Sequence, residues 1–554
     1  MLKKVSKIIS VLLAVLIIAG TAGACQKDES DESSQSGSAI SSAAKTSAAK
    51  TTAKSTTAAG TAASATDAQT SEGETGTGTG TGTGADSQDA DDQAGTAQEG
   101  EADGTAEGTE GEWATDVEVT VGDGLTSNVY DLKGATILGG CWMPNQIPID
   151  APESTPEFVI LARRIKAAEE KYNFKMEWYA DESKNSNNYR KDITTKSLSG
   201  ILFADFFRTA ASYDFPQNVK TNIIIPLDGY IDYEKPIIKA NTYMYNGSFW
   251  KGRHYGITYE YQSASPFVIY NKTVLDWEGQ PDILDLVEKN QWNWTTFLDI
   301  AQKCTRDTNG DGLVDQYGLI TYNRWYLTKY FLASNGLTSG LEITADDIVP
   351  IIKKPEAIRV FQFVADLCYV HKVYAYDNKK NIFINNRAAI FIHNSYGGNT
   401  TMRTAGLESY IAPMPMGPDV NYYTNINTSQ FYAISPLSKY PEEVANIWAE
   451  ICLMWTMDLK PIPEVQEMYE KHYTADWLWS PANTARKLTT EREYKLCIEG
   501  LWPVYKPDFT DGFPGYSAQM TSLISNPLMD GTQSVAQAID SAEMVLRDII
   551  EPFR

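Results

Sequence analysis

The sharpest chemical signal in the chain is the nonapeptide Asp307-Thr308-Asn309-Gly310-Asp311-Gly312-Leu313-Val314-Asp315. Oxygen-bearing side chains recur at Asp307, Asn309, Asp311 and Asp315, with glycine at Gly312 where the chain must turn sharply. This is the opening of an EF-hand type calcium loop. Alternate side chains point inward, and the Leu313 carbonyl supplies a further ligand. Such hard oxygen donors suit calcium. The loop departs from the full pattern at Gly318, where a bidentate glutamate is expected, so Gln316 or a water is left to complete the shell. The motif is single, so the expected role is structural rather than that of a switch. The same residue types also make a tight turn without metal.

The elements around this loop are legible. Asn293 is a plausible cap, and Trp294, Phe297, Leu298, Ala301 and Cys304 follow at helical spacing. Tyr317–Tyr322 reads as a strand after the loop. Upstream, Asp131–Cys141 reads as a strand with Ala135-Thr136-Ile137-Leu138 at its centre. Thr155 can cap a helix whose first turn holds Pro156, with Phe158, Leu161, Ile165, Ala168 and Tyr172 on one face. Phe174–Tyr179 is the next strand. The last helix is expected at Ser534–Ile550, with Val535, Ala538, Ala542, Val545 and Ile549 as its apolar stripe. Strand and helix alternate throughout, which predicts an α/β architecture. The body beyond Trp113 is long enough for two domains.

The amino end differs from this body. Lys3, Lys4 and Lys7 precede an apolar run, Ile8–Ile18, of signal-peptide length. Ala22-Gly23-Ala24-Cys25 then resembles a lipobox, in which Cys25 carries lipid after cleavage of residues 1–24. Residues 25–112 are Ser, Ala, Thr, Gly, Asp and Glu with almost no large apolar side chain. Such a segment cannot offset its ordering entropy and is expected to be a disordered acidic tether. It holds roughly half of the net charge of -24. With no basic stripe anywhere, nucleic acid is excluded as a partner. Cys141, Cys304, Cys368, Cys452 and Cys497 are scattered without CxxC spacing, so a zinc site is not expected.

Several motifs recur in a shared order. Ser199-Gly200-Ile201-Leu202-Phe203-Ala204-Asp205 comes first, then Tyr255-Gly256-Ile257-Thr258 and Ile269-Tyr270-Asn271-Lys272. Gln291-Trp292-Asn293-Trp294-Thr295-Thr296-Phe297 leads into the acidic loop. Asn386-Arg387-Ala388-Ala389-Ile390, Ala412-Pro413-Met414-Pro415-Met416-Gly417-Pro418 and Phe431-Tyr432-Ala433-Ile434-Ser435 follow. In this order, across about Lys133–Arg554, the chain resembles the family 1 extracellular solute-binding proteins, the sugar-binding lipoproteins of ABC transporters.

The resemblance implies a two-lobe periplasmic-binding-protein-like fold with hinge strands and a central ligand cleft. Lobe one takes about 133–262 and 418–465; lobe two takes about 266–415 and 466–554. The crossings near Gln262–Pro266 and Pro413–Pro418 are expected to flex. The implied function is capture of a carbohydrate by a monomer, held by lipid on Cys25 at the extracytoplasmic face of the bacterial membrane, for delivery to ABC permease subunits. No catalysis is implied.

A sugar offers C–H faces to aromatic planes and hydroxyls to carboxylates and amides. The expected ligand residues lie at strand ends, where open α/β sheets bind. They are Trp142 after the first strand, Arg208 and Asp214 in the loop after Asp205–Phe207, and Glu260 and Tyr261 at the first crossing. Trp325 after the strand beyond the acidic loop, Tyr396 after the Ala388–Ile390 strand, and Tyr505 and Tyr516 before the last helices complete the set. For each, core packing or a surface ion pair is the competing explanation. Three other functions stay open: a secreted carbohydrate-active hydrolase, which needs two placed carboxylates; a surface adhesin or sensor; and a peptide-binding protein of the same fold.

Overall fold

Apolar runs too short for helices become strands, and most are followed by a helix. The first expected strand forms as β1, Ala135–Cys141. Its helix, α1, spans Pro156–Tyr172, and the Thr155 hydroxyl accepts the Phe158 N–H at 3.4 Å. β2, Phe174–Ala180, and β3, Phe206–Ala210, complete the unit. β4 (Phe267–Asn271) opens the second half. A short helix α2, Lys272–Trp277, and helix α3, Trp294–Lys303, precede the acidic loop. Asn293 and Thr296 form the reciprocal capping box of α3, which satisfies backbone donors at the helix start. β5 (Tyr317–Thr321), helix α4 (Arg324–Ser334), β6 (Ala388–His393) and β7 (Ser409–Pro413) follow. β8 (Gln430–Ile434), helix α5 (Pro441–Cys452) and helix α6 (Val535–Ile550) complete the frame.

This computed structural model describes residues 116–119, 128–151, 154–181, 186–261, 265–376, 379–393, 397–472 and 490–554. The signal segment, Cys25, the tether, Tyr396 and residues 262–264 of the first crossing lie outside the described residues. Among those described, no helix is long and apolar enough to cross a membrane.

The strands form two four-stranded mixed sheets. The first has the order β8-β3-β1-β2; β1 runs parallel to β2 and β3, and β8 is antiparallel to β3. The second has the order β7-β4-β6-β5; β6 is parallel to β5 and antiparallel to β4. β8 thus returns from the far side of the second sheet to complete the first. Each sheet centres one lobe. Asp205 anchors lobe one: its carboxylate accepts the Leu138 N–H at 2.8 Å and the Ser438 hydroxyl at 2.7 Å.

The passages between lobes are bound to one another. Asn425–Asn427 runs parallel to Tyr505–Pro507 as a two-stranded ribbon, and the Ile426 N–H donates to Ser265 at 2.8 Å. The expected flexing stretch at Pro413–Pro418 is bonded to lobe two. Trp292 Nε1 donates to the Pro413 carbonyl at 2.8 Å, Met416 exchanges backbone bonds with Trp292 and Trp294, and Gly417 donates to Ser334. The apolar stripe of α6 also needs correction: Val545 is exposed, and Ile539, Leu546 and Ile550 join Ala538 and Ala542 inside. The five described cysteines are all buried and unpaired. Burial lifts the Cys141 thiol to about 11 and the Cys304 thiol to about 12.

Candidate ligand cleft and acidic loop

Trp142 follows β1 directly and is buried. The Arg208 guanidinium lies 5.4 Å from its ring centre, and Tyr213 meets it edge-on at 5.9 Å. Arg208 sits inside β3, not in the loop after it, because that strand runs on to Ala210. Its guanidinium pairs with Glu260. Burial works against the Arg208 charge, but the Glu260 carboxylate together with Tyr259, Tyr432 and Tyr243 outweighs it and holds the group above the ordinary arginine value. Glu260 also accepts the Tyr243 hydroxyl at 3.1 Å. Tyr243 meets Tyr505 at 5.0 Å between ring centres, and Tyr505 donates to the Asn427 carbonyl at 2.9 Å. Trp142, Arg208, Glu260 and Tyr505 therefore belong to one cluster, joined through Tyr243.

Asp214 does lie in the loop after β3, where it accepts the Thr209 hydroxyl at 2.8 Å. Burial raises its pKa. Beside it, the Arg190 guanidinium stands 4.9 Å over the Tyr213 ring. Tyr261 points away from Glu260 and packs toward Trp455 at 6.3 Å between ring centres. Trp325 and Tyr516 are taken into the interior of lobe two. Trp325 is 2% exposed, both rings crowd Gly340, and the Tyr516 hydroxyl donates to the Gly340 carbonyl at 2.9 Å.

Lobe two contributes residues that the sequence reading passed over. On α4, Lys329 is buried between Asp508 at 2.8 Å and Asp511 at 3.8 Å. Its ammonium lies 4.9 Å from the Tyr326 ring centre and 5.5 Å from that of Tyr330, which is cation–π distance. Burial dominates Asp511 and raises its pKa, whereas Lys329 overcomes burial at Asp508 and lowers it. The charges of Asp511 and Lys329 also act on Tyr213, so the Tyr213 loop of lobe one faces this cluster. No local motif marks Lys329, Asp508 and Asp511, which only the fold unites.

Several buried polar groups here have no partner among the described residues: Trp142 Nε1, one Asp214 oxygen and both ends of the Gln430 amide. Buried polar atoms are normally paired, so unpaired ones can be satisfied by a ligand or water. Gln430 adjoins the Arg208–Glu260 pair, since its backbone N–H donates to Tyr243 at 3.0 Å. The arrangement offers aromatic edges, donors and acceptors to a polar ligand.

The acidic loop folds as a chain of turns closed by side-chain oxygens. Asp307 accepts backbone N–H groups from Asn309, Gly310 and Gly312 at 3.1, 2.6 and 2.7 Å. Asn309 accepts from Asp311 at 2.9 Å, and Asp311 from Leu313 at 2.8 Å. Asp315 accepts from the Thr308 N–H and hydroxyl at 2.9 and 2.8 Å. The Gly312 N–H leads those that hold the Asp307 carboxyl below its ordinary pKa. Gln316 turns inward, its amide nitrogen donating to Glu278 at 2.9 Å and the Cys304 carbonyl at 3.1 Å, which ties together the ends of α2 and α3. Gly318 has a steric cause: a Cβ there would lie 2.0 Å from the Ala301 carbonyl oxygen, which bars the glutamate of a full EF-hand. Among the described residues, no three His, Cys, Asp or Glu side chains converge on a cation position.

No family model matches the chain, and no curated protein matches it. Solved structures do. The cyclic α-maltosyl-1,6-maltose binding protein from Arthrobacter globiformis matches with a TM-score of 0.52 at 15% identity, over 76% of this chain and 99% of that one. A cyclo/maltodextrin-binding protein complexed with maltotetraose gives 0.51 at 14% identity, over 75% and 97%. UspC from M. tuberculosis gives 0.50 at 15% identity, over 75% and 100%. The described body therefore has the two-lobe α/β fold of these solute-binding proteins, the fold implied by its order of motifs.

Proposed function

We propose that the chain is the solute-binding component of an ABC importer, held by lipid on Cys25 at the extracytoplasmic face of the bacterial membrane, and that its ligand is a carbohydrate. The observation that carries this reading is the set of unpaired buried polar groups beside Trp142, Arg208 and Glu260. A carbohydrate satisfies such a site, since its hydroxyls both donate and accept and its C–H faces pack on rings. The cycle needs no bond to be made or broken. Ligand contacts both lobes, shifts the population toward the closed form, and the closed form docks on the permease. The sugars named with the solved relatives agree in class with this ligand.

The acidic loop is proposed to take calcium through Asp307, Asn309, Asp311, the Leu313 carbonyl and Asp315. Calcium would supply charge neutralisation and a rigid link between α3 and β5. The loop already curls around these oxygens: Asp311 and Asp315 each accept on one carboxylate oxygen only, whereas Asp307 has both engaged by backbone N–H groups.

The test is thermal stability of the full chain against a panel of mono- and oligosaccharides with calcium present. A ligand of the native state raises the melting temperature with the logarithm of its concentration. A rise with one sugar class, and recovery of that sugar intact after long incubation, is the expected result. Cleavage of the sugar would favour a hydrolase, and no rise with any sugar would overturn the carbohydrate assignment.

A further inference from the structure

Helix α2 ends on an indole that the fold leaves in water. Trp277 is 62% exposed, although tryptophan is normally largely buried. It forms part of an open recess of about 570 Å³ on lobe two, a volume typical of small-molecule sites. The rest of the lining is polar. Glu278 follows Trp277, Arg306 stands at the start of the acidic loop, and Asn385, Asn386 and Arg387 precede β6. None of these residues belongs to the cleft between the lobes.

The charges in the recess are already matched. Arg306 pairs with Glu278 at 2.7 Å, and the second Glu278 oxygen accepts from Gln316 at 2.9 Å. Arg387 donates through Nε to the Asp315 carbonyl at 2.6 Å. Two arginines thus stand against Glu278 and Asp315, which leaves no net charge to draw an ion. What remains is an aromatic plane, guanidinium edges and exposed amide groups around an open floor. Asn386 is held in the left-handed region at φ 55°, with its side-chain oxygen fixed by Asn271 at 2.8 Å.

We propose that this recess is a second carbohydrate site, on the outer face of lobe two, which takes a neutral sugar ring within a longer polysaccharide. Trp277 stacks on the C–H face of the ring, and Arg306, Asn385 and Arg387 bond its hydroxyls. Because the recess is open, the polymer can continue past it, whereas the cleft encloses its ligand. The proposal stands independently of what the cleft binds.

Electrophoresis of the full chain in native gels cast with amylopectin, galactomannan or arabinoxylan tests it. At least one gel should retard the protein. Trp277→Ala should weaken that retention at least fivefold without changing the melting temperature, since the side chain is exposed, and Trp277→Phe should restore part of it. The cleft variant Trp142→Ala should be retarded as the unmutated chain is. The proposal is overturned if no neutral gel retards the chain, if only polygalacturonate does, or if Trp277→Ala behaves as the unmutated protein.

Discussion

Asn425 receives the backbone N–H of Ser265 on its side-chain oxygen at 3.1 Å. Its amide donates in turn to the Leu501 carbonyl at 3.2 Å, and the residue is fully buried. One side chain therefore holds three separate passages of chain at the junction of the lobes.

Asn425→Ala removes both bonds and leaves the Ser265 donor buried. The expected cost is about 1–3 kcal/mol. Urea unfolding of the full chain measures it through the midpoint. An unchanged midpoint would mean that the ribbon of Asn425–Asn427 and Tyr505–Pro507 holds the junction without this residue.

Two tryptophans should behave differently. Trp142→Ala should weaken ligand binding about tenfold, or about 1.4 kcal/mol, because its ring edges the Arg208–Glu260 pair. Trp325→Ala empties packed interior and should cost about 3–5 kcal/mol of stability. Calorimetric titration and thermal unfolding of both variants separate these outcomes. Equal loss of affinity with full stability in both would place Trp325 at the ligand.

Glu260→Ala strands a buried guanidinium. Glu260 keeps some contact with water, so the expected loss is about 3 kcal/mol, at the low end for a broken buried pair. Arg208→Met in the same chain should recover much of it. A double-mutant cycle reads the coupling, and purely additive losses would show that the two groups act separately.

Asp511 makes stability depend on pH. Burial raises its folded pKa above the unfolded value, with Lys329, Asp508, Tyr213 and Tyr326 around it. Its contribution is fully present below the ordinary aspartate value of about 4 and is lost as pH rises through the folded value. Asp511→Asn should therefore gain on the unmutated chain as pH rises from about 4 to about 7. A difference that does not change with pH in denaturant titrations would refute this.

Calcium should raise the melting temperature, and Asp307→Ala combined with Asp311→Ala should abolish the rise. Asp307 has a lowered folded pKa, so its ionised form is secure above about 4 and is lost as pH falls through the folded value. The calcium effect should fade in that same acid range. Melting temperatures with calcium and with chelator, at about pH 7 and again well below about pH 4, decide the matter.

Local chemistry was the legible part. Thr155 and Asn293 cap helices as their types and positions foretell, because a cap depends on the next few residues alone. Arg208, Glu260 and Trp142 could be singled out for a related reason: each abuts a strand or crossing whose order is readable, and the fold brings the three together. Trp325 and Tyr516 looked equally suited to a ligand, and both pack against Gly340, which neither neighbours in sequence. Lys329 was hidden for a related cause. Its partners lie almost two hundred residues downstream, and nothing within α4 announces that two aspartates will arrive beside it.

The five interior thiols have a practical consequence. With no bridge to form and no thiolate on the surface, the described body needs neither an oxidant nor a disulfide isomerase to reach its final form. It should fold equally well from glutathione-rich cytosol or in aerated medium. It should also tolerate long storage without crosslinking.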